Sequence, residues 1–408
     1  MTAEILIMNK SAIAMAADSV VTVGNQKTYT GVNKLFMLSN NPPMGIMIYD
    51  SADFMNIPLE SLIKEFRIKY GNELNNVQGF MTHFLDFIKN FALENRGDFQ
   101  EYFENSIKEL YNQIKRDFSF FNDLKKDPNS VVHKVELSGD YKKSFFNSEI
   151  FRKYDYHFKE LVEKDFVDEN EEFKKLVMEI YKKLYVINYF NHTGIVIAGF
   201  NNGEIFPSFS AYDIYSIFED ECKFFKENSS KNNSPIPLIL PFAQTDVVEN
   251  FIWGTNNNFL KDIFEIFKGA FDSYPFKIID VLEEDTEIQK ECFEYLKGKI
   301  NDIGMDKDEF VRPFDAFLES YAKDSLSPIY LSISALPKEE LGNMCESLIH
   351  LTSLKRKVDE GLETVGGDVD VAIISKGDGF IWTKRKHYFD SNLNSQFFER
   401  KKANKNIY

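Results

Sequence analysis

Thr2-Ala-Glu-Ile-Leu-Ile-Met-Asn9, then Ala14-Met-Ala-Ala-Asp18-Ser19, Asn33-Lys34-Leu-Phe-Met-Leu-Ser39 and Gly45-Ile-Met-Ile-Tyr-Asp-Ser-Ala-Asp53, form the stretch that decides the fold. It reads as two β-hairpins. Residues 3–9 and 12–23 are rich in Ile, Ala and Val and are joined by a Lys10-Ser11 turn. Their nearly continuous apolar run predicts strands buried on both faces. A second hairpin, Leu35–Ser39 and Met44–Tyr49, turns at Asn40-Asn-Pro-Pro43, where proline cannot donate a ladder hydrogen bond. The turns set the register. Facing residues sum to about 20 or 21 in the first hairpin and about 83 in the second, which places Asp18 opposite Thr2 and Lys34 opposite Tyr49. If the hairpins are neighbours, Thr2, Asp18 and Lys34 share one sheet end.

Those three side chains suggest a chemistry. A threonine hydroxyl is a weak nucleophile and needs a base. Removal of Met1 supplies one, because a free α-amine titrates near about 7.7–8.0, against about 10.4 for a lysine side chain. A lysine cation nearby lowers that value further, and an aspartate keeps the lysine charged and oriented. Singly, each residue has an ordinary role: a second residue, a strand end and a strand-edge charge. Only the joint spacing makes a site of them.

Outward from this stretch the period changes. Leu59, Leu62, Ile63 and Phe66 recur at helical spacing behind Pro58, and a second helix is expected over about 77–93. Three further helical stretches are expected over about 98–188. Strands are expected at Thr193–Phe200 and Glu204–Phe209, joined by Asn201-Asn-Gly203. A loop containing Ser229–Pro237 is expected next, then a strand from Leu238 that runs into a helix. Residues 256–324 read as helical, Ile329–Ser332 as a strand, Leu336 onward as a helix, and Val369–Ser375 with Gly379–Trp382 as the last strands. The expected fold is therefore α+β, with antiparallel hairpins and helices on their outer faces. The chain is read as one domain over 1–408, carrying helical insertions at 94–188 and 256–324 and a basic tail over 384–408.

The spacing of the opening motifs resembles the proteasome β-subunit and its bacterial ring-protease relative, both N-terminal-nucleophile (Ntn) hydrolases. Sixteen residues separate Thr2 from Asp18, and Asp18 from Lys34. Thr22-Val-Gly-Asn25 resembles the turn of the bacterial member, Ser51-Ala-Asp53 the opening of the first family helix, and Val365-Gly-Gly-Asp-Val-Asp-Val-Ala-Ile-Ile-Ser375 the glycine pair and strand that close the sandwich. The resemblance implies a four-layer αββα sandwich of two antiparallel sheets. It also implies amide hydrolysis, of peptide bonds first of all, through an acyl-enzyme on Thr2, with Asp18 and Lys34 in support. The matching oxyanion position, where family members have glycine, is the backbone of Tyr49, followed by Asp50. The family's Asp-x-x-Ser is replaced by Leu362 and Val365, which leaves Glu363 or Thr364 as substitutes. Ser19, Gln244, Thr245 and Asp246 are the other supporting candidates. A peptide or protein substrate, a homo-oligomer and a separate ATPase or regulator are the partners implied.

Composition narrows the classes. Lys and Arg number 48 against 64 Asp and Glu, a net charge of −16, which disfavours sequence-independent nucleic-acid binding. The tail from Lys384 reverses the sign locally and is expected to be a solvated end. Cys222, Cys292 and Cys345 are too scattered for a disulfide framework and are expected in helix cores. The six histidines show no metal-ligand spacing, and no phosphate-binding glycine loop occurs, so no metal or cofactor is expected. No leader and no membrane span are read, and the cytoplasm is the expected location. Two other functions fit the same residues: a catalytically inactive Ntn-fold relative serving as a partner-binding or regulatory module, and a small-molecule amidase.

Overall fold

The structure, a computed structural model, describes residues 2–403 except 24–26, 55–56, 96–98, 138–139, 190–191, 216, 220–223, 231–236, 255–256, 284–291, 293, 300–306, 359–364 and 391. It is α+β. Two five-stranded antiparallel sheets, two short strand pairs and their helices divide between two compact units.

The first unit comprises Met1–Gly31 and Asn233–Tyr388. Its sheet is built from β1 (Ala3–Met8), β2 (Ala12–Ala17), β12 (Leu238–Ala243), β13 (Asp370–Ser375) and β14 (Gly379–Lys384), in the order β12-β1-β2-β13-β14. Every residue of β1 and β2 is buried, Glu4 included, as a nearly continuous apolar run predicts. Asn9 makes the turn between them: its Oδ1 accepts from Ser11 N–H and Ala12 N–H at 2.9 and 3.1 Å. Its amide donates to the carbonyls of Ile333 and Leu336, both at 3.0 Å, which ties the hairpin to the end of α12 (Lys307–Ala335). Ile5, Ile7, Ala14, Ala16, Val371 and Ile373 pack against Leu341, Cys345, Leu348 and Ile349 of α13 (Lys338–Val358) and Val248 and Ile252 of α10 (Asp246–Trp253). Each of the Val, Leu and Ile side chains among them is worth about 1.5–3 kcal/mol when fully buried.

The second unit comprises Val32–Asn232 and Phe389–Tyr408. Its sheet joins β5 (Leu35–Asn40), β6 (Pro43–Tyr49), β9 (His192–Phe200), β10 (Pro207–Tyr215) and β11 (Phe224–Ser230), in the order β11-β10-β9-β6-β5. Ile46, Ile48, Ile195 and Ile197 meet Leu62, Ile63 and Phe66 of α1 (Leu59–Tyr70) and Phe80 and Phe84 of α2 (Val77–Asn95). A separate aromatic core lies among the helices α3 to α9 that run between Phe99 and Tyr189. There Phe103 contacts Tyr154 and Tyr185 with ring centroids 4.5 and 5.1 Å apart, the tilted and edge-on geometry that ring quadrupoles favour.

Several expectations are corrected. Ile329–Ser332 is not a strand but part of α12, where the Ser332 and Ser334 hydroxyls donate to the carbonyls of Pro328 and Leu331. A short apolar run does not by itself distinguish strand from helix. Ser229 and Ser230, read as loop, lie in β11. The run 12–23 breaks after Ala17: β3 (Val21–Val23) pairs with β4 (Lys27–Tyr29) apart from both large sheets. Ser51-Ala-Asp53 does not open a helix, because α1 begins at Leu59, whose N–H donates to Ala52. Cys345 is buried, Cys292 is exposed rather than in a core, and Cys222 lies outside the described residues. The tail is not solvated throughout: Lys384 is exposed, but the Lys386 side chain is not. Lys386 is buried against the fully buried Asp370, which accepts from both its backbone N–H and its ammonium group.

Candidate functional site

Thr2 immediately precedes β1 and is 1% exposed. Its carbonyl accepts from the Gln244 N–H at 3.2 Å, and its Oγ1 donates to Glu4 Oε2 at 3.0 Å. Asp18 follows β2 and is fully buried. The ladder pairs residues summing to 21, so Asp18 stands opposite Ala3 rather than Thr2: its N–H donates to the Ala3 carbonyl, and its Oδ1 accepts from the Ala3 N–H, both at 3.2 Å. Asp18 Oδ2 accepts from Gly366 N–H at 3.0 Å and Val20 N–H at 3.3 Å. One carboxylate thus holds three backbone donors and fastens the glycine pair to the end of the first hairpin.

Ser19 completes that junction by donating its N–H to the Gly366 carbonyl at 3.3 Å. Its hydroxyl is buried and has no hydrogen-bond partner among the described residues. Gly367 passes so close that a Cβ there would stand 2.4 Å from Ser19 Oγ, and its φ of +70° is a conformation glycine adopts without strain. Glu363 and Thr364 lie outside the described residues.

The chain between β12 and α10 supplies the other neighbours of Thr2. Ala243 turns the backbone with φ +60°, after which Gln244 reaches the Thr2 carbonyl. Arg356 of α13 donates to Gln244 Oε1, and to Asp246 Oδ1 at 2.5 Å. Asp246 opens α10, where a negative charge suits the helix dipole. Thr245 makes no side-chain cap bond to that helix.

Lys34 and Tyr49 belong to the second unit. Lys34 is buried, and its carbonyl accepts from Ile48 N–H at 2.9 Å. It therefore faces Ile48 and not Tyr49, because a register shift between Met37 and Ser39 changes the pairing sum ahead of the turn. Asn33, one residue before it, donates to Glu60 of α1. Tyr49 ends β6 opposite Gly194, and its hydroxyl donates to Asp213 Oδ1 on β10 at 2.8 Å. Asp50 follows with φ +63°, a left-handed conformation that aspartate tolerates better than most residues.

Of the sequence-derived candidates, the first unit brings together Thr2, Asp18, Ser19 and Gln244, while Lys34 and Tyr49 share the end of the β5–β6 pair. Sequence reasoning missed Glu4. Its signal was a lone carboxylate inside an otherwise apolar strand, Ala-Glu-Ile-Leu-Ile-Met. Among the described residues no group of three or more His, Cys, Asp or Glu could hold a metal ion, and no helix is long and apolar enough to cross a membrane.

No family model matches the chain, and no curated protein matches it. Solved structures that align with it include Anbu (ancestral β-subunit) from Yersinia bercovieri, at TM-score 0.30 and 10% identity over 98% of this chain and 95% of that one. Anbu from Hyphomicrobium sp. strain MC1 aligns at TM-score 0.30 and 8% identity over 98% and 96%. The helical assembly of the Anbu complex from Pseudomonas aeruginosa gives TM-score 0.30 and 9% identity over 98% and 93%. These findings correct the family read from the sequence. The three structures named are Anbu proteins and not the proteasome β-subunit or the bacterial ring protease, and likeness this low assigns the chain to no family.

Proposed function

We propose that the protein is an N-terminal threonine hydrolase that cleaves amide bonds through an acyl-enzyme on Thr2 once Met1 is removed. The observation that carries the reading is the junction of Thr2–Ala3 with Asp18, a buried carboxylate bonded to the Ala3 N–H at 3.2 Å beside a threonine hydroxyl. In this reading the freed α-amine serves the hydroxyl, Lys34 supplies the cation and the Tyr49 backbone the oxyanion donor. Ser19 and Gln244 support the junction from either side, with Thr245, Asp246, Glu363 and Thr364 as outer candidates. The fold in this reading is a four-layer αββα sandwich. The substrate is a peptide or protein, and the helices at 94–188 and 256–324 are insertions into that single domain.

A partner-binding, inactive protein is the second reading, favoured by the burial of Thr2 at 1% exposure. Intact mass separates the two at the first step, since retention of Met1 on all molecules sinks the hydrolase. With Met1 absent, a threonine-directed β-lactone should label Thr2 and Thr2→Ala should abolish the label. Absence of label and turnover supports the inactive reading. Cleavage of a peptide library then distinguishes a peptidase from a small-molecule amidase.

A further inference from the structure

Glu4 is the one charged residue in β1, and it is 0% exposed. A buried carboxylate costs several kcal/mol unless polar groups surround it, so its place in an otherwise apolar strand calls for a reason. Thr2 and Glu4 are two residues apart along an extended chain, which puts both side chains on one face of the sheet. The Thr2 hydroxyl donates to Glu4 Oε2 at 3.0 Å, within the 2.6–3.2 Å that a nucleophile and its base require.

We infer that Glu4 takes the proton of the Thr2 hydroxyl when Oγ1 attacks. This rests on the threonine-hydrolase reading and changes it in one respect, because the hydroxyl proton goes to a carboxylate and not to the α-amine. As the Oγ1–C bond forms at the amide carbonyl, the proton passes to Glu4 Oε2. As the C–N bond breaks, that proton goes to the leaving nitrogen, giving the free amine and an ester on Thr2. In the second half a water attacks the ester, gives its proton to Glu4 and releases the acid, and the proton returns to Oγ1. Nothing is oxidised, and water is the only co-reactant.

Among the described residues of its own unit, the charged groups near Glu4 include Asp18, Asp370, Lys386 and Arg356. Asp18, at the end of β2, is engaged by three backbone N–H groups. Asp370 lies in the same row of the sheet, beyond Ala17, and is paired with Lys386. Arg356 is bonded to Gln244 and Asp246.

The test is the rate at which a β-lactone acylates Thr2 in the Met1-free full chain, measured against pH. Wild type is compared with Glu4→Gln and Glu4→Asp, with circular dichroism confirming folding. Glu4→Gln is expected to lower the rate by about 10²-fold or more, the usual worth of a positioned base. Its acidic limb is also expected to move to that of the α-amine, at or below about 7.7–8.0 where Lys34 lowers it, since only the amine is left to accept the proton. Glu4→Asp, which keeps the carboxylate, should retain the wild-type limb at a reduced rate. If Glu4→Gln labels within about threefold of wild type and with the same profile, Glu4 is not the base. Should the Gln variant fail to fold, wild type and Glu4→Asp decide: a limb that follows the α-amine in both, with no loss of rate in Glu4→Asp, overturns the inference. Wild type that is not labelled on Thr2 at any pH overturns the hydrolase reading itself, an outcome distinct from both.

Discussion

The ring of Tyr49 occupies the space above Gly194, one strand over: a Cβ built on Gly194 would lie 1.8 Å from the tyrosine Cζ. The ring therefore crosses β9 on its way to Asp213 on β10. Gly194→Ala has to displace it, and overpacking of this kind costs about 1–3 kcal/mol. Chemical denaturation should show that loss. In a Tyr49→Ala background the same alanine should cost far less, and equal losses in both backgrounds would show that the ring is not what Gly194 accommodates.

Asp18 is the acceptor for three backbone N–H groups from three places in the first unit. Asp18→Asn keeps the shape but turns an amide donor toward at least one of them. A buried donor left without its acceptor costs about 1–3 kcal/mol, and here the loss should be at the upper end. Thermal melting measures it, and an unchanged midpoint would mean that the glycine pair is held by something else.

The buried Asp370–Lys386 pair joins β13 to the segment after β14. Removing one partner leaves a buried charge, so Lys386→Met alone should cost about 3–5 kcal/mol. Adding Asp370→Asn should recover part of that loss. A double-mutant cycle in urea reads the coupling, and strict additivity would remove the pair from the account of stability.

Glu346 on α13 gives a pH-dependent contribution. Burial works to raise its carboxyl, but hydrogen bonds from Lys384 and His350 outweigh it and hold the carboxyl below its ordinary 4.5. The unfolded chain then binds the proton first. Stability from this group is present above about 4.5 and is lost as pH falls through the lower folded value. Glu346→Gln should flatten that part of the stability curve while changing little near neutrality relative to a Lys384→Met control. An acid limb as steep as that of wild type would contradict it.

How much of this was legible follows from what each feature depends on. The first hairpin could be read to within one residue because a short turn and a nearly continuous apolar run leave few registers. The second could be read less well: the irregularity between Met37 and Ser39 moved the partner of Lys34 from Tyr49 to Ile48. Such a shift has no mark in the local pattern of apolar residues. The helical state of Ile329–Ser332 depends on the packing of α12, which a four-residue window does not carry. Contacts between distant stretches, such as Arg356 with Gln244 or Lys386 with Asp370, depend on tertiary placement and were invisible. Glu4 was visible as a letter out of place, but only the 3.0 Å contact with Thr2 gives that letter a meaning.

The order of the strands in the first sheet has a temporal side. β1 and β2 lie between β12 and β13, so both long edges of that hairpin pair with chain that begins only at Leu238. At a synthesis rate of roughly 5–20 residues per second, the wait between Ala17 and Leu238 lasts on the order of 10–40 s. For that interval a nascent ribbon, apolar but for Glu4, stands with two unpaired edges, the form most open to wrong partners and to chaperones. The same interval leaves Thr2 uncovered. Any trimming ahead of Thr2, 1% exposed once the sheet has closed, has its natural opportunity at the ribosome rather than on the finished protein.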